Sequence, residues 1–143
     1  MTTNNSANDS VDGVSMVAVA QRIGLVVVFL WFFIGGFAHF KLTEMETSIV
    51  PPYIPYPRAM VLISGVCELL GAIGILIPRT RRAAGIGLFL LTIAVTPANV
   101  FMLQHAERYS VPMWALIFRL PFQAFLLWLI WWSTWNPLRK VAA

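Results

Sequence analysis

Four long apolar segments, separated by short polar or proline-rich ones, dominate the chain of 143 residues. As helices rising 1.5 Å per residue, all four are long enough to cross the roughly 30 Å of hydrocarbon in a bilayer. The predicted fold is therefore all-α, a four-helix transmembrane bundle formed by residues 15–135. The four predicted helices cover residues 15–40, 58–77, 83–104 and 113–132.

The segments outside the predicted helices differ in character. Residues 1–14 are polar and rich in Asn, Ser and Thr, so we expect them to be disordered. Residues 136–143 form a short basic tail. The longest connection, residues 41–57, contains four prolines, which oppose a regular helix and lower the entropic cost of order. We expect it to cap the bundle, with Tyr53, Ile54 and Tyr56 as apolar anchors.

Composition supports the membrane class. Hydrophobic residues make up 59% of the chain and charged residues 11%, more apolar surface than a soluble domain of this length can bury. The net charge of +4 does not indicate a nucleic-acid partner, because the basic residues lie at helix ends. The expected partner is the lipid bilayer.

The basic residues also predict an orientation. Six lie on one side of the predicted bundle, namely Arg22, Arg79, Arg81, Arg82, Arg139 and Lys140, and three on the other, namely Lys41, Arg58 and Arg108. Cytoplasmic loops are enriched in Lys and Arg. Both termini are thus predicted to be cytoplasmic, and the proline-rich loop between helices 1 and 2 to be extracytoplasmic.

One carboxylate, Glu68, lies halfway along the second helix. A charge at this depth costs several kcal/mol unless it is neutralised, paired or hydrated. Small residues such as Ser64 and Gly65 share its helical face, which predicts close packing inside the bundle. The neighbouring Cys67 is the only cysteine; it excludes an intrachain disulfide, and we expect it to be buried and inert.

The other helices also carry polar residues in the same half of the bilayer. His39 ends the first helix, Asn99 lies in the third, and Arg119 and Gln123 lie in the fourth. With Glu68 they predict a ligand-binding site for a quinone-like or small polar ligand, because donors and acceptors in a low-dielectric site suit a carbonyl or an oxyanion. Glu68 and Arg119 are expected to pair, directly or through one water molecule. No catalytic residue is assigned.

Structural alternatives remain open for each of these residues. A Glu68–Arg119 pair could serve only to fix helix register. The Asn99 amide could satisfy a carbonyl freed by a kink at Pro97, and His39 could be an interfacial histidine. A metal site is not expected, since His39, His105 and Glu68 have no ligand spacing of a known type.

The chain resembles the DoxX family of small four-helix membrane proteins over roughly residues 31–132. The resemblance is carried by GFAHF (36–40), IVPPYIPYP (49–57), SGVCELLGAIGILIPRTRRAAGIGL (64–88), PANVFML (97–103) and RLPFQ (119–123). It marks His39, Glu68, Asn99 and Arg119 as family-like polar positions. It also implies a multi-pass protein of the prokaryotic plasma (inner) membrane.

The resemblance implies a redox-associated membrane subunit. Some relatives are similar to subunits of a thiosulfate:quinone oxidoreductase, and others associate with thiol-handling proteins. We therefore expect a non-catalytic subunit or binding protein rather than an autonomous enzyme, with quinone as the candidate ligand and no covalently bound cofactor. A redox or thiol-handling partner protein and a homo-oligomer are further expectations. The alternatives are a small oligomeric proton-coupled transporter and a membrane interaction or assembly protein.

Overall fold

A computed structural model describes residues 3–135, with side-chain surroundings from residue 16 onward. The described part is all-helical and contains four helices long and apolar enough to cross a membrane, as predicted. The helices are α1 (Thr3–Lys41), α2 (Thr43–Ser48), α3 (Pro57–Leu76), α4 (Arg81–Ala94), α5 (Thr96–Gln104) and α6 (Met113–Trp135). A short 3₁₀ segment (Ala106–Arg108) precedes α6. The predicted tail, residues 136–143, lies outside the described residues.

Two predicted loop assignments are wrong. The helix α1 begins at Thr3, so the segment expected to be disordered is helical from there; it contains no proline and only one glycine, and extending a formed helix is easy once it is nucleated. The apolar span itself starts at Met16, close to the predicted boundary. The proline-rich connection contains α2, because its prolines all follow Ser48 and leave the preceding six residues free to form a helix.

The tyrosines predicted to anchor the proline-rich connection are exposed. Of the residues in this segment, Pro51 is buried and the predicted anchor Ile54 is half-buried. The hydroxyl of Tyr109, in the connection before α6, donates a hydrogen bond to the backbone oxygen of Ser48 at 3.1 Å. The connections 42–56 and 105–112 therefore meet at one end of the bundle, which we call the loop end.

The third span is interrupted at Val95, where α4 ends and α5 begins. Pro97 lacks an amide hydrogen, and its ring clashes with the carbonyl four residues earlier, so the helix cannot continue regularly. The sequence predicts one helix here, over residues 83–104. The break changes which backbone groups face α6.

The four spans pack as a ring. Extensive contacts join α1 to α3, α3 to α4, α4 to α6 and α6 to α1, and α5 also packs on α6. The helices α3 and α6 therefore stand at opposite corners. The apolar core cluster lies in the half away from the loop end and includes Phe32, Ile75, Leu88 and Ile130. His39, Asn99 and Arg119 lie in the other half.

The turn between α3 and α4, opposite the loop end, is held by its polar residues. Thr80 Oγ1 donates to the backbone oxygen of Gly74 at 2.8 Å, and Arg81 Nε donates to that of Ile75 at 2.9 Å. These bonds satisfy carbonyl groups that the end of α3 leaves unpaired. The guanidinium of Arg82 lies over the Trp135 ring, 4.1 Å from its centroid.

Candidate functional site

Glycines bring α1 and α3 close together near the loop end. A Cβ atom built on Gly65 would lie 2.8 Å from the Cβ of His39 and 3.0 Å from the backbone oxygen of Gly36, and one built on Gly35 would lie 2.8 Å from Glu68 Oε2. Only glycine permits such an approach without displacement, as at other close membrane-helix crossings. This close packing places the His39 ring beside the Glu68 carboxylate.

His39 lies between two carboxylates. Its Nε2 is 3.3 Å from Glu68 Oε1, and its Nδ1 contacts the carboxylate of Glu46 on α2. The exposed fractions of the His39, Glu46 and Glu68 side chains are 15%, 18% and 13%, so all three are largely shielded by protein. We call these residues the histidine cluster.

The histidine cluster can hold and exchange protons. The Nε2–Glu68 contact is a hydrogen bond, whereas Nδ1 lies beside the Glu46 carboxylate without forming one. The imidazolium form carries a hydrogen on each ring nitrogen and so has one donor for each neighbouring carboxylate. A neutral ring supplies only one donor, so the second contact is then satisfied only if that carboxylate carries the proton. The geometry therefore allows one proton to occupy either the ring or a carboxyl group without moving the helices.

A second polar cluster joins α5 and α6. Asn99 Nδ2 donates to Gln123 Oε1 at 2.8 Å, and Arg119 Nε donates to Asn99 Oδ1 at 3.1 Å. Gln123 Nε2 donates to the backbone oxygen of Thr92 at 2.5 Å and to Thr96 Oγ1 at 2.6 Å. We call Asn99, Arg119 and Gln123 the arginine–amide cluster.

The two members at the ends of this cluster differ in exposure. Gln123 is buried, whereas Arg119 is exposed. Arg119 also directs its terminal NH1 group towards Met102 Sδ at 3.5 Å, a weak acceptor. Within the part of the chain that the structure describes, Arg119 has no carboxylate partner.

The five predicted ligand-binding residues thus fall into two groups. The structure brings His39 to Glu68, and it brings Asn99 to Arg119 and Gln123. The predicted direct ion pair between Glu68 and Arg119 is not formed among the described residues. These residues lie on α3 and α6, at opposite corners of the ring. The prediction of a single pocket is therefore replaced by two separate clusters.

One further expectation is wrong, and one of the structural alternatives left open above is not the one observed. Cys67 is exposed rather than buried, because it lies about 100° around the helix from Glu68 and points away from the neighbouring spans. Near the break at Val95, the residue that bonds a backbone carbonyl is Gln123, not Asn99. The Asn99 amide bonds side chains instead.

Sequence reasoning did not assign Glu46 to the site. It follows His39 by seven residues, a spacing that puts two residues on the same helical face about two turns apart. That signal was hidden because the segment before the prolines was expected to be irregular. In the structure α2 follows α1 after a single residue, Leu42. The change of direction at this residue brings Glu46 into contact with the His39 side chain.

The surface near the loop end carries two shallow grooves. One, of about 430 Å³, is lined by Phe40, Lys41, Leu42, Thr43, Glu44, Met45 and Arg58. The other, of about 400 Å³, is lined by Leu103, Gln104, Ala106, Glu107, Val111 and Met113. None of the five predicted residues lines either groove, although the first groove begins at the residue that follows His39.

Fold and polar clusters together define a multi-pass membrane protein, a helical bundle with two polar clusters near its loop end. The chain belongs to a family described as a domain of unknown function, DUF8561, whose model matches residues 28–135. The matched region includes both polar clusters. Neither a curated protein nor a solved structure matches the chain.

Proposed function

We propose that this protein is a redox-associated subunit of the prokaryotic plasma membrane, in which the histidine cluster exchanges protons with a quinone-like ligand. The chain itself is not the enzyme; a redox partner protein supplies or accepts the electrons. The observation that carries the proposal is the position of His39 between Glu46 and Glu68. The resemblance to the DoxX family supplies the redox association and the membrane.

The cluster extends from the membrane surface into the bilayer. Glu46 belongs to the short helix α2 at the loop end, while Glu68 lies eleven residues after Pro57, the first residue of α3. At 1.5 Å per residue this is about 16 Å along the helix, or about half of the hydrocarbon thickness. A histidine that binds a proton at one ring nitrogen can release another proton from the second. His39 therefore connects the carboxylate on α2 to the carboxylate on α3.

The charge of the cluster depends on the number of protons that it holds. Two carboxylates and one imidazolium carry a net charge of −1, and one further proton makes the cluster neutral. The oxygen of a quinone headgroup, which takes up protons on reduction, is an acceptor of suitable chemistry.

The same cluster also supports a second function. In a proton-coupled transporter, Glu68 would be the protonatable group and Glu46 its connection to the surface. The arginine–amide cluster, in contrast, favours a purely structural role, because its Gln123 side chain is already hydrogen-bonded within the protein. The Gln123 amide nitrogen donates to two acceptors, and its oxygen accepts from Asn99. These alternatives give different results in one experiment.

The experiment uses the protein in lipid nanodiscs and a short-chain quinone analogue. Binding is measured by quenching of tryptophan fluorescence, and carboxyl protonation by infrared difference spectroscopy. We expect His39→Phe to lose quinone binding. His105→Phe is the matched control, since His105 is the other histidine and its ring packs on Phe101, with centroids 4.2 Å apart.

The outcomes separate the three functions. A carboxyl band that changes when quinone binds and disappears in Glu68→Gln supports the redox-associated subunit. A band that responds to an imposed pH difference across the membrane, with no quinone binding, favours the transporter. Unfolding of His39→Phe, with neither response in the wild type, identifies the cluster as architecture and refutes the proposal.

A further inference from the structure

Arg119 is a cation on an outward-facing side of a membrane span. It is exposed, and its neighbours Ile117 and Phe118 are 54% and 59% exposed, as expected for residues that face lipid. An arginine at such a position is stable only if its charge reaches water, an anion or the headgroup layer. Because the described residues supply no carboxylate to it, its charge is met by water, by an anion or by the headgroup layer.

The guanidinium points towards the loop end. Side chains of an α-helix lean towards its N-terminus, and α6 begins at the loop end with Met113. The contacts agree with this direction: Nε bonds Asn99, whereas NH1 reaches Met102, which lies closer to the loop end along the antiparallel α5.

The depth of Arg119 suits a lipid phosphate. Arg119 is six residues into α6, about 9 Å along the axis. The headgroup layer adds roughly 5–7 Å on each side of the hydrocarbon, and the exposed Trp114 is of the type found at that boundary. A guanidinium extended towards the loop end therefore comes within reach of the phosphate layer.

The Arg119 guanidinium is held in place by a chain of hydrogen bonds that begins inside the bundle. Thr96 and the Thr92 carbonyl fix Gln123, Gln123 fixes Asn99, and Asn99 accepts from Arg119 Nε. A guanidinium has five N–H donors; two have acceptors among the described residues, and one of those is only a thioether. The remaining donors form a preorganised fork, which reduces the entropic cost of binding an anion.

We propose that Arg119 binds the phosphate group of an anionic phospholipid in the leaflet at the loop end. Asn99 is the positioning residue that orients the guanidinium, and Gln123 orients Asn99. This site is separate from the histidine cluster and does not depend on the proposed proton exchange.

The test is native mass spectrometry of the protein released from mild detergent after incubation with equimolar phosphatidylglycerol and phosphatidylcholine. We expect the wild type to retain phosphatidylglycerol and Arg119→Gln to retain it about tenfold less or weaker still, since a charge-assisted contact is lost. Arg58→Gln is the matched control. It removes the same charge at the loop end, but Arg58 already pairs with Glu44 at 3.0 Å.

Equal losses in the two variants, or no lipid preference in the wild type, would overturn the proposal. A parallel incubation adds inorganic phosphate: displacement of the lipid at millimolar phosphate would mean that free phosphate is the ligand, which overturns the lipid assignment. Arg119→Lys keeps the charge and serves if Arg119→Gln does not fold. If Arg119→Lys retains phosphatidylglycerol less well than the wild type, the guanidinium fork contributes to binding. If retention is unchanged, that role of the fork is overturned.

Discussion

Replacing Gly65 by alanine tests whether the close approach of α1 and α3 holds the histidine cluster together. The added Cβ would lie 2.8 Å from His39 Cβ and 3.0 Å from the Gly36 backbone oxygen. Both atoms belong to or adjoin the backbone, so neither can move aside as the end of a flexible side chain could. Carbon atoms in favourable contact are about 3.5–4.0 Å apart, so α1 has to retreat by about 0.7 Å.

This displacement is large compared with the tolerance of the His39–Glu68 contact. The two side chains are 3.3 Å apart, and a hydrogen bond is lost beyond about 3.5 Å. Overpacking of this kind costs about 1–3 kcal/mol, while alanine in place of glycine gains roughly 0.8–1 kcal/mol of helix propensity. Gly65→Ala therefore weakens both the bundle and the His39–Glu68 contact.

Gly87→Ala is the matched control, because a Cβ on Gly87, also inside a helix, meets nothing within 4 Å. The propensity gain is common to both variants and cancels in their difference. Equilibrium unfolding in mixed micelles should show Gly65→Ala about 1–3 kcal/mol less stable than Gly87→Ala, and the infrared signal of Glu68 should change only in Gly65→Ala. If the two variants were equally stable and spectroscopically alike, the reasoning from close packing would be refuted.

Two further predictions concern topology and coupling. A cysteine placed at Thr80 in a Cys67→Ala background should resist a membrane-impermeant reagent added outside the cell, because the basic turn is predicted to be cytoplasmic; strong labelling from outside would reverse the proposed orientation. Glu68→Gln and Arg119→Gln should change the unfolding free energy additively, within about 0.3–0.5 kcal/mol, because the two residues share no partner in the structure. A clear interaction energy in that double-mutant cycle would mean that the two polar clusters communicate.

The spans could be predicted from the sequence because their signal is local. An apolar run of sufficient length defines a membrane helix whatever surrounds it, and the predicted ends of the second and third spans lie within two residues of the observed ones. The sequence does not predict α2, because four prolines in residues 41–57 suggest an irregular connection throughout. Pro51 and the prolines after it affect only their own neighbourhood, which leaves Thr43–Ser48 helical.

The pairing of side chains could not be predicted in the same way. Helical periodicity says which face Glu68 shares within its own helix, but not which helix packs against that face. The sequence therefore offered Arg119 as a partner on grounds of charge and depth alone. The order of the helices in the ring gives different partners. Because α3 packs on α1, Glu68 contacts His39, whereas Arg119 donates a hydrogen bond to Asn99.

The apolar core and the polar clusters lie in different halves of the bundle, so packing and charged contacts are provided by different residues. The apolar cluster around Ile75 and Leu88 lies away from the loop end, and van der Waals packing of this kind holds membrane helices together whatever the charge state elsewhere. At the loop end, α1 and α3 are joined by glycine contacts and by the histidine cluster. A change of protonation at Glu68 therefore acts on the part of the helix pair that contributes least to the apolar core. A bundle arranged in this way keeps its apolar core when His39 gains or loses a proton, as the proposed proton exchange would require.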